Sequence, residues 1–369
     1  MSRNASSNLN FFVLLLIFLV PLYLFFYLRF HQIKASQSEI EPQELKNASE
    51  TLINSTITPS TVTPAWDALD GQGYEFIRRN KLDLNADYDI LSRLPPCGVE
   101  VQMAVEKQIE RIKFQFMGCV PRIVEQWRGQ PDQMITEWTD KAKFCDDLPE
   151  LKVLDLVSFD NLQETEWAIL PKCKENHTLL SLGIEHDTLA EESLNATVSD
   201  FKFFGVDPII DPNRQLFSPL GEFFPFAIGR KSGFYKFRTL PNQNQKTRRF
   251  IEKQVLTIDL MYLLDVILKL KRIDYAWIDI EGTEFEFLHW LHRNGALDKK
   301  GISICQINLE FHPKLHPNGA KLFHDFIFRV LKEQRYVFLK SRNTDPGVHR
   351  MFFFNVENNE CVSKYFNVF

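Results

Sequence analysis

The apolar positions after residue 174 fall into short runs that alternate with amphipathic stretches. This rhythm predicts strands that alternate with helices, and hence a parallel sheet built from βα units. The predicted strands are Thr178–Leu182, Lys202–Val206, Phe223–Ile228, Tyr275–Ile280, Ile302–Phe311, Tyr336–Lys340 and Met351–Val356. The predicted helices are Thr188–Asn195, Asp259–Leu270, Glu284–His292 and Gly319–Glu333. The last helix repeats its apolar residues at helical spacing, which indicates one buried stripe.

The end of the chain departs from this βα rhythm. The sequence YVFLKSRNTDPGVHRMFFFNV holds two strand-like runs, and their turn-rich connection is too short for a crossover helix. The two runs therefore predict an antiparallel hairpin. A mainly parallel α/β sheet closed by an antiparallel C-terminal hairpin is typical of the Rossmann-like methyltransferase fold, which is a likeness of fold alone. We assign this domain to residues 176–369.

The first 65 residues lack the pattern of a folded domain. The stretch Phe11–Leu28 carries no charge, and as a helix it covers about 27 Å, nearly the thickness of a bilayer core. We therefore expect a short cytoplasmic tail at 1–10, a transmembrane helix at 11–30 and a flexible polar stalk at 31–65. A cleaved signal peptide is the alternative, but the apolar run exceeds the usual length and no small-residue cleavage site follows it.

The orientation of this anchor is not fixed by its flanking charges, because Arg3 lies on one side while Arg29 and Lys34 lie on the other. Six cysteines and several Asn-x-Ser/Thr acceptors follow the anchor, and both favour an oxidising, glycosylating compartment. The acceptors are Asn47, Asn54, Asn176 and Asn195. We therefore expect a single-pass type II membrane protein with its body in the Golgi or ER lumen or at the cell surface.

Residues 66–175 are predicted to form a cysteine-containing extension packed on the main domain. Helical periodicity marks Val101–Gln115 and Pro121–Trp127. Four cysteines lie far from the C-x₂-C spacing of zinc modules, so we expect two disulfides whose pairing the sequence leaves open. They are Cys97, Cys119, Cys145 and Cys173.

Charge narrows the range of partners. The chain has a formal net charge of -5, with 44% hydrophobic residues, and no run of Lys or Arg is dense enough to form a basic stripe. Nucleic acid is therefore not an expected partner. The sequence does not determine the oligomeric state.

The first predicted strand ends in a turn that can receive a ligand. In LLSLGIEHDTLAEE the chain turns at Gly183 and enters a helix, at the position where Rossmann-like sheets bind nucleotides. The acids Glu185 and Asp187 suit a sulfonium or ribose hydroxyls better than a pyrophosphate, although a lone glycine is more often an ordinary turn. Asp207 ends the next strand about twenty residues later, where it can accept ribose hydroxyls or simply begin an Asp-Pro turn. Gly183, Asp187 and Asp207 are the predicted cofactor-binding residues.

Acidic residues also follow two later strands. Asp279 and Glu281 leave a buried strand in YAWIDIEGTEFEFLHWL, and Glu310 and His312 end the strand ICQINLEFHP. Parallel neighbours would bring these four predicted catalytic residues into one cleft. Helix capping by the first pair and a structural role for the histidine are the alternatives. The set could also hold a divalent ion, although we assign no metal site.

Taken together, SLGI, FFGVDPI, IDIEGTEFEFL and CQINLEFH resemble the FkbM-type methyltransferase family, in particular its membrane-anchored animal branch. The likeness covers about residues 176–356 and is most specific at Asp279-Ile280-Glu281-Gly282. It implies S-adenosylmethionine as the methyl donor and a hydroxyl group, on a small molecule or a glycan, as the acceptor. By this resemblance Gly183 lies in the donor loop, Asp207 binds ribose, and Asp279 and Glu281 line the transfer cleft. The first loop departs from the family, which usually has more glycines there.

The expected reaction is in-line transfer of a methyl group to oxygen, with His312, Asp279 or Glu281 as the base. Two other functions stay open: a catalytically inactive binding module whose donor loop is blocked at Glu185, and a type II Golgi glycosyltransferase. In the strand order of the methyltransferase fold, the last strand lies beside the one that contains Cys305. This order implies a Cys305–Cys361 disulfide.

Overall fold

The computed structural model describes residues 94–97, 103–146, 148–152, 154–162, 164–239 and 250–366. The predicted tail, anchor and stalk all lie outside these residues and stay predictions. Among the described helices, none has both the length and the apolar character needed to cross a membrane.

The described chain alternates strands and helices as the apolar rhythm predicts. The α-helices are α1 (Met103–Val124), α2 (Pro131–Ala142), α3 (Pro149–Lys152), α4 (Leu189–Thr197), α5 (Asn213–Phe217), α6 (Ala296–Lys300), α7 (Gly319–Glu333) and α8 (Asn359–Phe366). The strands are β1 (Leu156–Asp160), β2 (Thr165–Ile169), β3 (His177–Leu182), β4 (Phe201–Val206), β5 (Gly221–Phe224), β6 (Ala227–Gly229), β7 (Gly233–Thr239), β8 (Ile251–Asp259), β9 (Arg272–Ile278), β10 (Ser303–Phe311), β11 (Tyr336–Asn343) and β12 (His349–Asn355). A π-helix at Tyr262–Ile267 and several 3₁₀ turns complete the elements.

The main sheet has seven strands in the order β11-β12-β10-β9-β3-β4-β5. Strands β5, β4, β3, β9 and β10 are parallel, whereas β12 is antiparallel to both of its neighbours. The sheet is therefore mainly parallel and closed by an antiparallel C-terminal hairpin, as predicted, and is consistent with a methyltransferase fold. Because the chain leaves β3 toward β4 and returns to β9, the carboxyl ends of these strands meet at one edge.

The hairpin β1–β2 lies over this sheet and was not predicted. Two buried amides of β10 fasten it. Asn308 exchanges hydrogen bonds with the backbone N–H and C=O of Trp167 (2.9 and 2.8 Å), and Gln306 does the same with Ile169 (2.7 and 3.0 Å). These side chains take the place of a neighbouring strand, so the hairpin is held without joining the main sheet.

Several predicted elements differ from the structure. The predicted helix Asp259–Leu270 is shortened, since β8 continues to Asp259 and a π-helix covers Tyr262–Ile267. The two helices predicted in the extension are largely one helix, α1.

The predicted strand Phe223–Ile228 is divided into β5 and β6, because Pro225 has no N–H to donate to a ladder. The predicted helix Glu284–His292 is two short 3₁₀ turns, separated where Phe287 takes a non-helical φ of -131°. The side chain of Glu284 accepts the N–H of Gly282 at 2.8 Å. This local hydrogen bond closes the turn, so the turn does not continue as an α-helix.

All six cysteines are paired, and the Cys305–Cys361 prediction is confirmed with a Cα–Cα distance of 5.2 Å. The extension forms the two predicted disulfides, Cys97–Cys173 and Cys119–Cys145. The predicted helix Gly319–Glu333 is also confirmed, and its apolar stripe is buried in the core.

Candidate active site

The carboxyl ends of β3, β4 and β9 form one cleft, which we call the main cleft. Its lining includes Gly183, Asp207, Asp279 and Glu281, together with apolar side chains. Hydrogen bonds between these strands continue just beyond their ends. The N–H of Gly183 donates to the carbonyl oxygen of Val206 at 2.9 Å, and the N–H of Asp279 donates to the carbonyl oxygen of Leu182 at 2.8 Å. The structure therefore brings these four predicted site residues together.

Residue 183 must be a glycine because β3 and β9 lie very close together there. Its φ is +85°, and a Cβ added there would lie 1.8 Å from the carbonyl oxygen of Asp279. Only glycine avoids both the left-handed strain and this overlap. The observed reason for this glycine is thus strand packing, while its predicted contact with a donor stays a prediction.

Asp207 organises the turn that follows β3. Its Oδ2 accepts the N–H groups of Ile184 (3.0 Å) and Glu185 (3.4 Å), and its Oδ1 accepts that of Ile209 (2.7 Å). Burial raises the pKa of Asp207, and these backbone bonds oppose the rise because they stabilise the charged form. The carboxylate faces the main cleft, with backbone donors on both oxygens.

Asp187 lies on another side of the same turn. Its Oδ1 accepts the N–H of Leu189 at the start of α4 (3.1 Å), and its Oδ2 accepts the N–H of Leu162 in the β1–β2 loop (2.7 Å). It lines a separate small cavity under the hairpin. Asp187 therefore links the helix to the hairpin, and Gly183 lines the same cavity; the predicted contact of Asp187 with a cofactor stays a prediction.

A buried arginine that we did not predict joins the catalytic candidates. Arg350 on β12 is 1% exposed, and its Nη2 lies 3.1 Å from Asp279 Oδ2. The same guanidinium donates to Glu310 and Glu166, and it pairs with Glu164 at 2.7 Å. One cation thus holds four carboxylates from the hairpin, β9 and β10. An arginine between apolar residues in HRMFFFN is the sequence signal that could have found it.

Glu310 and His312 take opposite charges in this network. Burial alone would raise the pKa of Glu310, but Arg350, Asp279 and Thr344 lower it to about 2. Burial would lower the pKa of His312, but the adjacent Glu284 raises it to about 9. Glu284 Oε1 accepts the His312 backbone N–H at 2.7 Å and lies 3.4 Å from Nδ1. His312 is therefore protonated at neutral pH.

Asp279 lies between His312 and Arg350. Its Oδ1 lies 3.5 Å from His312 Nε2, and its other oxygen accepts from Arg350. Burial and the neighbouring Glu310 raise its pKa well above the ordinary range.

Two groups of side chains that include Asp279 could hold a metal ion. In the first, Asp279, Glu310 and His312 each have one ligand atom within 4.8 Å of the others; in the second, Glu164, Glu185 and Asp279 do. Glu284, which holds His312, was not predicted as a site residue.

Glu281 borders two cavities. It lines the main cleft and also a larger side cavity of about 610 Å³ between β7 and the turn after β9. Its side chain lies 3.5 Å from Arg238 and is 13% exposed. Burial raises its pKa, while His312 and Arg238 oppose the rise.

The main cleft is narrow. It contains about 540 Å³ of empty space including open solvent, but only about 50 Å³ is wide enough for the centre of a water molecule. Phe237 and Phe250 also line it. The cleft would therefore have to widen to admit a nucleoside-sized ligand.

Comparison with known proteins gave three findings. The model of the methyltransferase FkbM domain matches residues 129–338, more than half of the chain. An uncharacterized protein of Caenorhabditis elegans is 30% identical over 97 residues, which are 26% of this chain and 31% of that protein, so the match spans about a third of that relative. The solved structure of a fibrillarin/Nop5p complex is 10% identical over 50% of this chain and 75% of that chain, with a TM-score of 0.28. A likeness this weak carries no argument.

Proposed function

Since the chain belongs to the FkbM methyltransferase family, we propose that it is an S-adenosylmethionine-dependent O-methyltransferase. The observation that carries this proposal is the convergence of Gly183, Asp207, Asp279 and Glu281 on one cleft at the carboxyl edge of the sheet. Ligands of open α/β sheets bind at this edge, where parallel strands change direction of connection.

The chemistry of the main cleft fits a cationic donor. Carboxylates at the ends of β4 and β9 share this space with apolar side chains, including Ile209, Phe226 and Ile228, and with Arg238. Asp207 would accept ribose hydroxyls in competition with its backbone donors, and the apolar wall would cover the base. The donor, when bound, supplies an electrophilic methyl group on sulfur.

Among the three candidate bases, we propose Glu281. His312 already carries its proton at neutral pH, and the raised pKa of Asp279 favours its protonated form. Glu281 faces both spaces, and burial brings its pKa upward toward neutrality, which suits a general base. It would take the proton from the acceptor hydroxyl as the new C–O bond forms, while Arg238 keeps the carboxylate oriented.

The side cavity is the proposed acceptor site, since it adjoins the main cleft at Glu281. Exposed Arg230, Lys231 and Lys236 line it. The described residues 228–239 and 250–253 contain five Lys or Arg and one Glu, in a chain whose net charge is -5. This local charge supports a hydroxylated acceptor that also carries an anionic group, such as an acidic sugar of a glycan. We propose that it acts on the lumenal side of the membrane to which residues 11–30 would anchor it.

Methyl transfer by the full-length chain tests this function. Labelled S-adenosylmethionine is supplied with neutral and acidic glycans, and labelled product is measured for wild type, Glu281→Gln and the control Glu222→Gln, an exposed acid on β5. We expect transfer by wild type and by the control, and a loss of about a hundredfold or more in kcat for Glu281→Gln. Unchanged transfer by Glu281→Gln would refute its role as base.

The narrowness of the main cleft favours a second candidate, a binding module that has kept the fold without donor binding. Wild-type protein that is folded but binds no donor would support it. The same protein would still be expected to bind its anionic ligand in the side cavity.

A further inference from the structure

A small cavity lies between the β1–β2 hairpin and the ends of β3 and β9, and we call it the hairpin cavity. Its volume is about 20 Å³, enough for one ion or one water molecule. Its lining contains six acids: Glu164, Glu166, Glu185, Asp187, Glu191 and Asp279. Arg350 pairs with Glu164, Glu166 and Asp279, and the protonated His312 lies 3.5 Å from Asp279 Oδ1. Three of the six acids therefore share these two positive charges.

Two of the acids that line the hairpin cavity each have one oxygen without a hydrogen-bond partner among the described residues. Glu166 is 4% exposed and Glu191 is 2% exposed. Within the part of the chain that the structure describes, Glu166 Oε2 and Glu191 Oε2 accept no hydrogen bond, although their other oxygens bond Arg350 and Ser181. The indole Nε1 of Trp277, in the same lining, is likewise without an acceptor there. Buried polar atoms are nearly always satisfied, so these atoms point to a ligand.

The geometry suits a hard cation. One carboxylate oxygen each from Glu164, Glu185 and Asp279 can lie within 4.8 Å of the others. Three points this close share a centre no more than about 2.8 Å from each, near the roughly 2.3–2.6 Å of Ca²⁺–oxygen bonds. We propose that the hairpin cavity binds a divalent cation, with Ca²⁺ preferred because this spacing is closer to Ca²⁺–oxygen bonds than to the roughly 2.0–2.1 Å bonds of Mg²⁺. Glu166 Oε2 and Glu191 Oε2 lie in the shell around it, and Trp277 donates to a water ligand.

In the second acidic group, Asp279 with Glu310 and His312, the atoms Asp279 Oδ1 and His312 Nδ1 have no hydrogen-bond partner among the described residues, but Glu310 is engaged by the protein. Both oxygens of Glu310 are engaged, one by Thr344 and one by Arg350. Among the described residues, the hairpin cavity offers unbonded oxygens on two further acids, Glu166 and Glu191. An ion there would tie Glu164 of the hairpin to Asp279 of β9, and so fix one wall of the main cleft. This role goes beyond methyl transfer and does not depend on it.

Terbium luminescence tests the site, because Tb³⁺ replaces Ca²⁺ on oxygen ligands and Trp277 lies close enough to sensitise it. Full-length protein is stripped with EDTA and titrated with Tb³⁺, and Ca²⁺ or Mg²⁺ is then added in competition. We expect saturable luminescence that Ca²⁺ displaces better than Mg²⁺, and a rise in Tm with Ca²⁺. Glu164→Gln should weaken binding at least about tenfold by removing one charged ligand. The control Glu222→Gln should bind as wild type does.

Three results would overturn the proposal. The first is no luminescence and no Ca²⁺-dependent change in Tm, which would assign the cavity to a water molecule. The second is unchanged affinity in Glu164→Gln. The third is loss of binding in Glu310→Gln with full binding in Glu164→Gln, which would move the ion to the other acidic group. If circular dichroism shows Glu164→Gln unfolded, Glu185→Gln gives the same comparison from the β3 turn.

Discussion

Replacing Arg350 by methionine tests whether this buried cation holds the candidate site together. The side chain of Arg350 is 2% exposed, and its partners Glu166, Asp279 and Glu310 are 5%, 10% and 4% exposed. Removing one partner of a buried ion pair leaves the other charge unpaired and costs about 3–5 kcal/mol. We therefore expect the free energy of unfolding to fall by at least about 3 kcal/mol at pH 7.5. Methionine fills similar apolar volume, so the loss comes mainly from charge.

Urea unfolding of the full-length chain, followed by tryptophan fluorescence and far-UV circular dichroism, measures this loss. The control is Arg329→Met, whose half-exposed pair with Glu333 on α7 should contribute about 0.5 kcal/mol or less. Without the guanidinium, the folded-state pKa values of the three carboxyls rise, so the folded variant binds more protons and its deficit shrinks toward pH 5. A deficit below about 1 kcal/mol at pH 7.5, or one that grows on acidification, would refute the reasoning.

Three further predictions follow from the structure. His177 is fully buried, and burial lowers the pKa of His177 to about 3, so folding stability should fall as the pH drops below the ordinary histidine value of 6.5. His177→Phe should remove part of that acid sensitivity in unfolding curves. An unchanged pH dependence of stability in this variant would contradict the prediction. Gly183→Ala should lower the free energy of unfolding by about 3 kcal/mol or more through left-handed strain and overlap with β9, and a loss under 1 kcal/mol in denaturant titration would be too small. Neutralising Arg230, Lys231 and Lys236 together with glutamine should raise the KM for an acidic-sugar acceptor about tenfold or more while kcat stays constant, and an equal rise for a neutral sugar would argue against charge recognition.

Much of the sheet follows from local patterns. The apolar runs of β3, β9 and β10, the helix Gly319–Glu333 and the closing hairpin each have one periodicity and no competing signal. The Cys305–Cys361 disulfide then followed from strand order. Strands β7 and β8 were not predicted, because their exposed residues on both faces lack the alternation of a half-buried strand.

Only part of the candidate site could be predicted from the sequence, because several of its contacts join residues that lie far apart along the chain. The acids Asp279 and Glu281 stand out because they follow a buried strand. Arg350 meets Glu164 and Glu166 across more than 180 positions, and no spacing rule connects them. Asp187 lies four residues after Gly183 in sequence, and its carboxylate accepts the N–H of Leu162 in the hairpin; its predicted role in cofactor binding stays a prediction.

Calorimetric titration of S-adenosylmethionine into the full-length chain tests the central claim most directly, because the account requires the main cleft to admit a donor despite its narrow form. We expect one saturable site per chain, retained in Glu281→Gln, because residue 281 serves proton transfer and not donor binding. Absence of binding to protein that is folded by circular dichroism and by its unfolding transition would contradict it.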